Sequence, residues 1–223
     1  ITARALGAAV RGDIALLLLN ISIIGLFQGI FNGSVLVYLT PKFSFIKLFF
    51  LTNLVSIGLA IGLPYLMAAS YLLEASQVNT LIVLTSLQGL LTTSQSLLLG
   101  KEKIQQFNLL EIIKSSVLLI SIIYFFWRMN DISLVSVIYS YALSYIIPLV
   151  FSFFQILKYF KLEPLETIEN KGNKSILSSL LKYGFEMQIN IISHMINYRF
   201  CFYIIDKWKG KVSSHISWKL RKE

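Results

Sequence analysis

Chemistry in this sequence has to be carried by a small number of polar side chains set inside long apolar runs. Arg199, in the stretch INYRFCFYIID, keeps its charge in any protein environment and can grip a phosphate through two parallel hydrogen bonds. Its other uses are snorkelling to a water interface or pairing with Asp206. Just before it come Glu186, Gln188, Asn190, His194 and Asn197, a polar set in a segment otherwise rich in Ile, Phe and Tyr. Glu111 and Lys114, three residues apart, can pair on one helix face and lower each other's cost in a partly wet site. Thr85, Gln88, Thr92, Gln95 and Ser96 recur at helical spacing and form a polar stripe, which either bonds to neighbouring helices or lines a solvated cavity. Gln28 and Asn32 border Gly25, Gly29 and Gly33, a stripe of small residues that lets two helix backbones approach closely. Those two amides either bond to a neighbouring helix or face a lumen.

Other chemistries are excluded by what is missing. Cys201 is the only cysteine, so neither an intramolecular disulfide nor a thiolate cluster can form. His194 reads as a hydrogen-bonded packing residue, and no His, Cys and carboxylate set has metal-ligand spacing. Asp13, Asp131 and Asp206 are the only aspartates and lie far apart, and neither a nucleophile elbow nor a phosphate-cradling glycine loop is present. The expectation is a protein without metal or cofactor and without enzymatic activity.

The elements that must position these residues are membrane helices. Of 223 residues, 56% are hydrophobic and 14% charged, against about a quarter charged in an average soluble domain, and the mean hydropathy is +0.70. The apolar runs are each long enough to cross a hydrocarbon layer of ~30 Å. They predict an all-α polytopic bundle with spans over Ile14–Tyr38, Leu48–Ala69, Thr80–Leu99, Asn108–Trp127, Leu134–Leu157 and Ile176–Ile205. Gly58, Gly62 and Pro64 in the second span are residues at which a helix can kink and rock.

Charge orients the bundle. The net charge of +9 sits mainly between spans, which argues for topology signals facing anionic lipid and against a nucleic-acid groove. Lys42 and Lys47 follow the first span, Lys101 and Lys103 the third, and Lys158, Lys161, Lys171, Lys174 and Lys182 the fifth. Glu74 stands alone after the second, and Arg128 and Asp131 cancel after the fourth. The positive-inside bias therefore places the loops after spans one, three and five in the cytoplasm and the start of the chain outside. An external start bearing Arg4 and Arg11, opening on Ile1, predicts that a preceding helix is missing. The stretch 163–175, with Pro164 and Gly172, reads as a cytoplasmic linker between five spans (residues 1–162) and a sixth (176–206). Residues 207–223 form a basic tail, either a juxtamembrane segment for anionic lipid or out-of-frame sequence after a truncation.

At these residues the sequence resembles a known family. RALGAAVRGDIALLLL and NGSVLVYLTPKF look like the connection into the second helix, and that helix itself, of bacterial polysaccharide and O-antigen flippases of the multidrug/oligosaccharidyl-lipid/polysaccharide exporter superfamily. SSLLKYGFEMQINIISHMINYRFCFYIID is similar to the helix that opens their second lobe. The resemblance implies a two-lobe transporter of twelve or more helices, with helices two to seven present here. It implies an inner-membrane protein that moves a polyprenyl-linked oligosaccharide across the bilayer by alternating access, working beside a polysaccharide polymerase and glycosyltransferases. Carried onto this chain, Arg199 and Lys114 would attract pyrophosphate or acidic sugars, and Gln88, Gln95, Gln188, Asn190 and Asn197 would bond to sugar hydroxyls. Two other readings stand beside it: a drug or toxin antiporter of the same superfamily, for which Glu111 and Glu186 are the intramembrane carboxylates, and an inactive remnant of a flippase gene.

Overall fold

A computed structural model describes residues 8–70, 73, 75–128, 133–162, 175–189, 191 and 193. The chain divides into two compact units, Ile1–Phe185 and Glu186–Glu223. The first holds α1 (Ala8–Gly29), α2 (Ser34–Leu39), α3 (Phe45–Ala69), a 3₁₀ turn (Ala75–Gln77), α4 (Val78–Gly100), α5 (Ile104–Ile123) with a closing π turn (Tyr124–Arg128), and α6 (Leu134–Leu162). A last helix, α7, runs over 175–189 and crosses from the first unit into the second. Among the described residues there is no strand, and the protein is an all-α helix bundle. A membrane interior has no water to satisfy loose backbone groups, so apolar segments of this length close their hydrogen bonds internally as helices.

Among the described residues, five stretches are long and apolar enough to cross a membrane: Gly12–Leu39, Phe45–Ala69, Val78–Gly100, Ile104–Trp127 and Leu134–Tyr159. Their hydropathies explain who sits in the middle. The span of α4 has the lowest value, 1.3, yet 61% of its window is buried, whereas the α5 span, at 2.0, is 11% buried. In lipid an apolar side chain gains little by turning inward, while a polar one left outward is costly, so the least apolar helix takes the centre. α4 touches α1, α2, α3, α5 and α6, and is the hub of the bundle. Leu54, Leu66, Ile112 and Phe154 on the surrounding helices point outward.

The core joins α4 to its neighbours through Leu17 and Ile21 of α1, Leu81, Leu84 and Leu91 of α4, and Tyr145 of α6. α6 faces inward with Ser136, Ser140, Ser144, Pro148 and Ser152, a buried stride of four that the sequence analysis passed over. Each serine hydroxyl donates to a carbonyl of its own helix at 2.7–2.9 Å: Ser136 to Ser133, Ser140 to Ser136, Ser144 to Tyr141 and Ser152 to Leu149. The hydroxyls are thus satisfied locally, and the small side chains let α4 and α5 lie close against α6.

The first span differs from the uninterrupted helix expected over Ile14–Tyr38. α1 ends at Gly29 and α2 starts at Ser34, with a turn over 30–33 between them. Asn32 N–H still donates to Gln28 O at 3.0 Å, and the turn into α2 is closed by Leu36 N–H to Gly33 O at 3.0 Å. Gly29, Asn32 and Gly33 are all weak helix formers, and the Asn32 side chain is drawn to other helices, so the ladder breaks where it is held least. Gly33 consequently serves as the residue before α2, with only Gly29 O, of its own segment, near its missing Cβ, while Gly25 of the expected stripe lies against α4, at Gln88. The other spans run two to five residues beyond the predicted limits at some ends, and the sixth is described as helix only over 175–189.

Candidate functional site

The break in the first span is pinned to α3 and α4 by amides. Gln28 Nε2 donates to Ser56 O and to Thr85 O, both at 3.1 Å. Asn32 Nδ2 donates to Ser56 Oγ at 3.1 Å and to Gly89 O at 3.3 Å. Both residues are almost fully buried, at 3% and 1% exposure. Gly89 has to be glycine here, because a Cβ would collide with Ser56 Oγ and come within 2.9 Å of Gln28 Nε2. Of the two roles open to Gln28 and Asn32, the structure shows the helix-to-helix bond.

The polar stripe of α4 separates into individual tasks. Thr85 and Thr92 return their hydroxyls to Leu81 O and Gln88 O of their own helix, at 2.7 and 2.9 Å. Gln88 faces Gly25 of α1. Gln95, 4% exposed, donates from Nε2 to Glu111 Oε1 at 2.9 Å. Lys114 Nζ lies 3.0 Å from each oxygen of the same carboxylate. Gln95, Glu111 and Lys114 therefore form a connected triad between α4 and α5, with Lys114 and Glu111 about a third exposed, at 33% and 39%. The Lys114 ammonium is neutralised by Glu111, so the triad presents a paired, orientable donor set and no net positive charge to an anion.

Of the expected substrate residues, the structure brings Gln95 and Lys114 together through Glu111 and sets Gln88 two turns away with a different neighbour. Gln188 is buried and lies in the second unit. Asn190, Asn197 and Arg199 lie outside the described residues. Sequence reasoning missed Ser56 and Gly89, which bond to the first span, and the buried Asn53. Asn53 and Ser56, three apart in an apolar run, were the signal for a polar face on α3.

Two further surfaces bound the site. At one end of the bundle Lys42 lies 3.4 Å from the Tyr38 ring centre, Lys101 5.6 Å from Phe45 and Lys182 5.8 Å from Tyr183. Tyr38 packs at 5.1 Å against Tyr183, and Phe45 at 5.9 Å against Tyr159, so the basic residues after α2 and α4 and in the middle of α7 gather with the start of α3 and the end of α6. Clustered lysines and aromatic rings of this kind are the pattern of a membrane–water interface. The second surface is an apolar groove of about 620 Å³ lined by Ile120, Ile123, Tyr124 and Trp127, with Trp127 83% exposed. Among the described residues, none of the expected substrate residues lines it. Among the described residues no group of three or more His, Cys, Asp or Glu could hold a metal ion.

Apolar outer faces, an inward polar helix and a charged triad within the spanning length define a multi-pass membrane helix bundle. In comparison with known proteins, no family model matches the chain, and no match was found among curated proteins or solved structures.

Proposed function

We propose that this chain works as part of an inner-membrane exporter that flips a polyprenyl-linked oligosaccharide by alternating access, supplying the helices that follow the first in one lobe and the helix that opens the other. The observation that carries a transport reading is the Gln95–Glu111–Lys114 triad, a carboxylate and an ammonium kept within the spanning length and bonded to a buried amide of the hub helix. Charges there are expensive and persist where a polar cargo or water must pass. The substrate class rests on the resemblance of the first-span and α7 segments to polysaccharide flippases. In this reading the chain has no enzymatic step. Gln88, Gln95 and Gln188 bond to sugar hydroxyls, and Lys114 takes up an anionic group when Glu111 is released from it. Asn190 and Asn197 supply further amides for sugar hydroxyls, and Arg199 attracts the pyrophosphate or acidic sugars.

The test is complementation. Expressed in a bacterium lacking its own polysaccharide flippase, the chain restores surface polysaccharide, alone or with the remaining helices of the exporter supplied. Export by the completed transporter that is unchanged by both Arg199→Ala and Arg199→Glu would remove the anion-binding role. Membrane insertion without any restored polysaccharide favours the inactive remnant.

A further inference from the structure

Two tyrosines from different helices meet where the first span ends. Tyr38, in the last turn of α2, and Tyr183 of α7 bring their ring centres to 5.1 Å at an interplanar angle of 59°. One residue further along α7, Gly184 lies directly against the Ile30 carbonyl, where a Cβ would collide. These two contacts seat α7 on the first span, and all four residues belong to the first compact unit.

Each ring of the pair carries a lysine. Lys42 Nζ is 3.4 Å from the Tyr38 ring centre, and Lys182 Nζ is 5.8 Å from that of Tyr183. A ring face attracts an ammonium without neutralising it. Among the described residues neither lysine forms an ion pair with a carboxylate, in contrast to Lys114 with Glu111. Both lysines are exposed, and so is Tyr38. A third cation is near: Gly100 lies against Thr40, two residues before Lys42, and the next residue, Lys101, is 5.6 Å from the Phe45 ring centre. Positive charges held on touching rings repel one another, and an anion beside the rings offsets that cost.

Position selects the anion. Tyr38 is the last residue but one of the span Gly12–Leu39, so the patch lies where an apolar helix meets water. Phospholipid headgroups occupy that level, and lysines next to a span attract the anionic ones. A tyrosine there offers its ring to hydrocarbon and its hydroxyl as a donor to phosphate.

We propose that Lys42, Tyr38, Tyr183 and Lys182 form a binding site for the phosphate headgroup of an anionic phospholipid, which fastens α7 to the first span. The site does not depend on what the bundle carries, and binding is read without transport.

The experiment is thermal unfolding of the purified full chain in neutral detergent micelles, titrated with phosphatidylglycerol or, at equal total lipid, with zwitterionic phosphatidylcholine. The expected result is a saturable rise of the midpoint with phosphatidylglycerol and none with phosphatidylcholine. Lys42→Gln and Lys182→Gln each raise the half-saturating phosphatidylglycerol concentration about fivefold, the ratio that corresponds to losing one interfacial lysine. Lys103→Gln removes an exposed lysine that lies on no ring among the described residues, and it leaves that concentration unchanged. Equal shifts from all three variants, the mark of diffuse surface charge, overturn the proposal. So does a phosphatidylglycerol effect that Lys42→Gln and Lys182→Gln both leave unchanged. An equal rise in lipid-free sodium phosphate, against sodium chloride of the same ionic strength, also overturns it by assigning the patch to free phosphate.

Discussion

Gln95 and Glu111, sixteen residues apart in sequence, meet at 2.9 Å and join the hub helix α4 to α5, the least buried of the five spans. That carboxylate also holds Lys114, so a single side chain satisfies two donors on two helices. Glu111→Gln should leave Lys114 without its counter-charge and Gln95 without a charged acceptor. Because the pair is about a third exposed, the expected loss is discounted to about 1 kcal/mol. A double-mutant cycle with Lys114→Met, read by thermal unfolding in detergent, should return a coupling of about 0.5–1 kcal/mol. Strict additivity would show that the pair is not formed.

Gly89→Ala should damage the bundle. The added methyl meets Ser56 Oγ and Gln28 Nε2, both of which are already committed to cross-helix bonds. Overpacking of this kind costs about 1–3 kcal/mol. By contrast, Gly58→Ala and Gly62→Ala, where nothing lies within 4 Å of the added carbon, should be neutral or slightly stabilising in the same unfolding assay.

Along α6 the serine stripe separates size from polarity. Ser140→Ala removes a hydroxyl bonded only within its own helix and should shift stability by less than about 0.5 kcal/mol. Ser140→Leu, at a position with no exposed surface, should cost about 1–3 kcal/mol. If both variants unfold alike, the stripe does not mark the packed face.

Glu102 has a φ of 60° in the tight turn after α4, a conformation that L side chains adopt at a cost. Glu102→Gly should therefore raise stability by about 1 kcal/mol, seen as a higher unfolding midpoint. Two residues earlier Gly100 tolerates no such exchange for alanine, since its Cβ would come within 2.6 Å of Thr40.

Much of this architecture was legible because lipid imposes a simple rule. Runs of apolar residues as long as the membrane is thick must be helices, so the spans of α3 to α6 could be read to within a few residues. The Glu111–Lys114 pair was legible from its spacing of three. The break at residues 30–33 was not, because mean hydropathy stays high through GIFNGS and the partners that compensate it, Ser56 and Gly89, are distant in sequence. The serine stripe of α6 escaped for a related reason: its period of four runs through a helix so apolar that the eye follows the Leu, Ile and Phe instead. Which polar residues share a partner depends on helix packing, and one strand of sequence does not encode that directly.

The central claim is a bundle that crosses a membrane repeatedly, with its lysine-rich ends gathered on one side. Single cysteines placed at Lys42, Lys103, Lys158, Asp13 and Ser70, with Cys201 replaced by Ser, can be labelled with a membrane-impermeant maleimide in vesicles of each orientation. The account predicts that Lys42→Cys, Lys103→Cys and Lys158→Cys label from one side, and Asp13→Cys and Ser70→Cys from the other. Labelling of Lys42→Cys and Ser70→Cys from the same side would contradict it, because the helix between them, Phe45–Ala69, would then not cross the membrane.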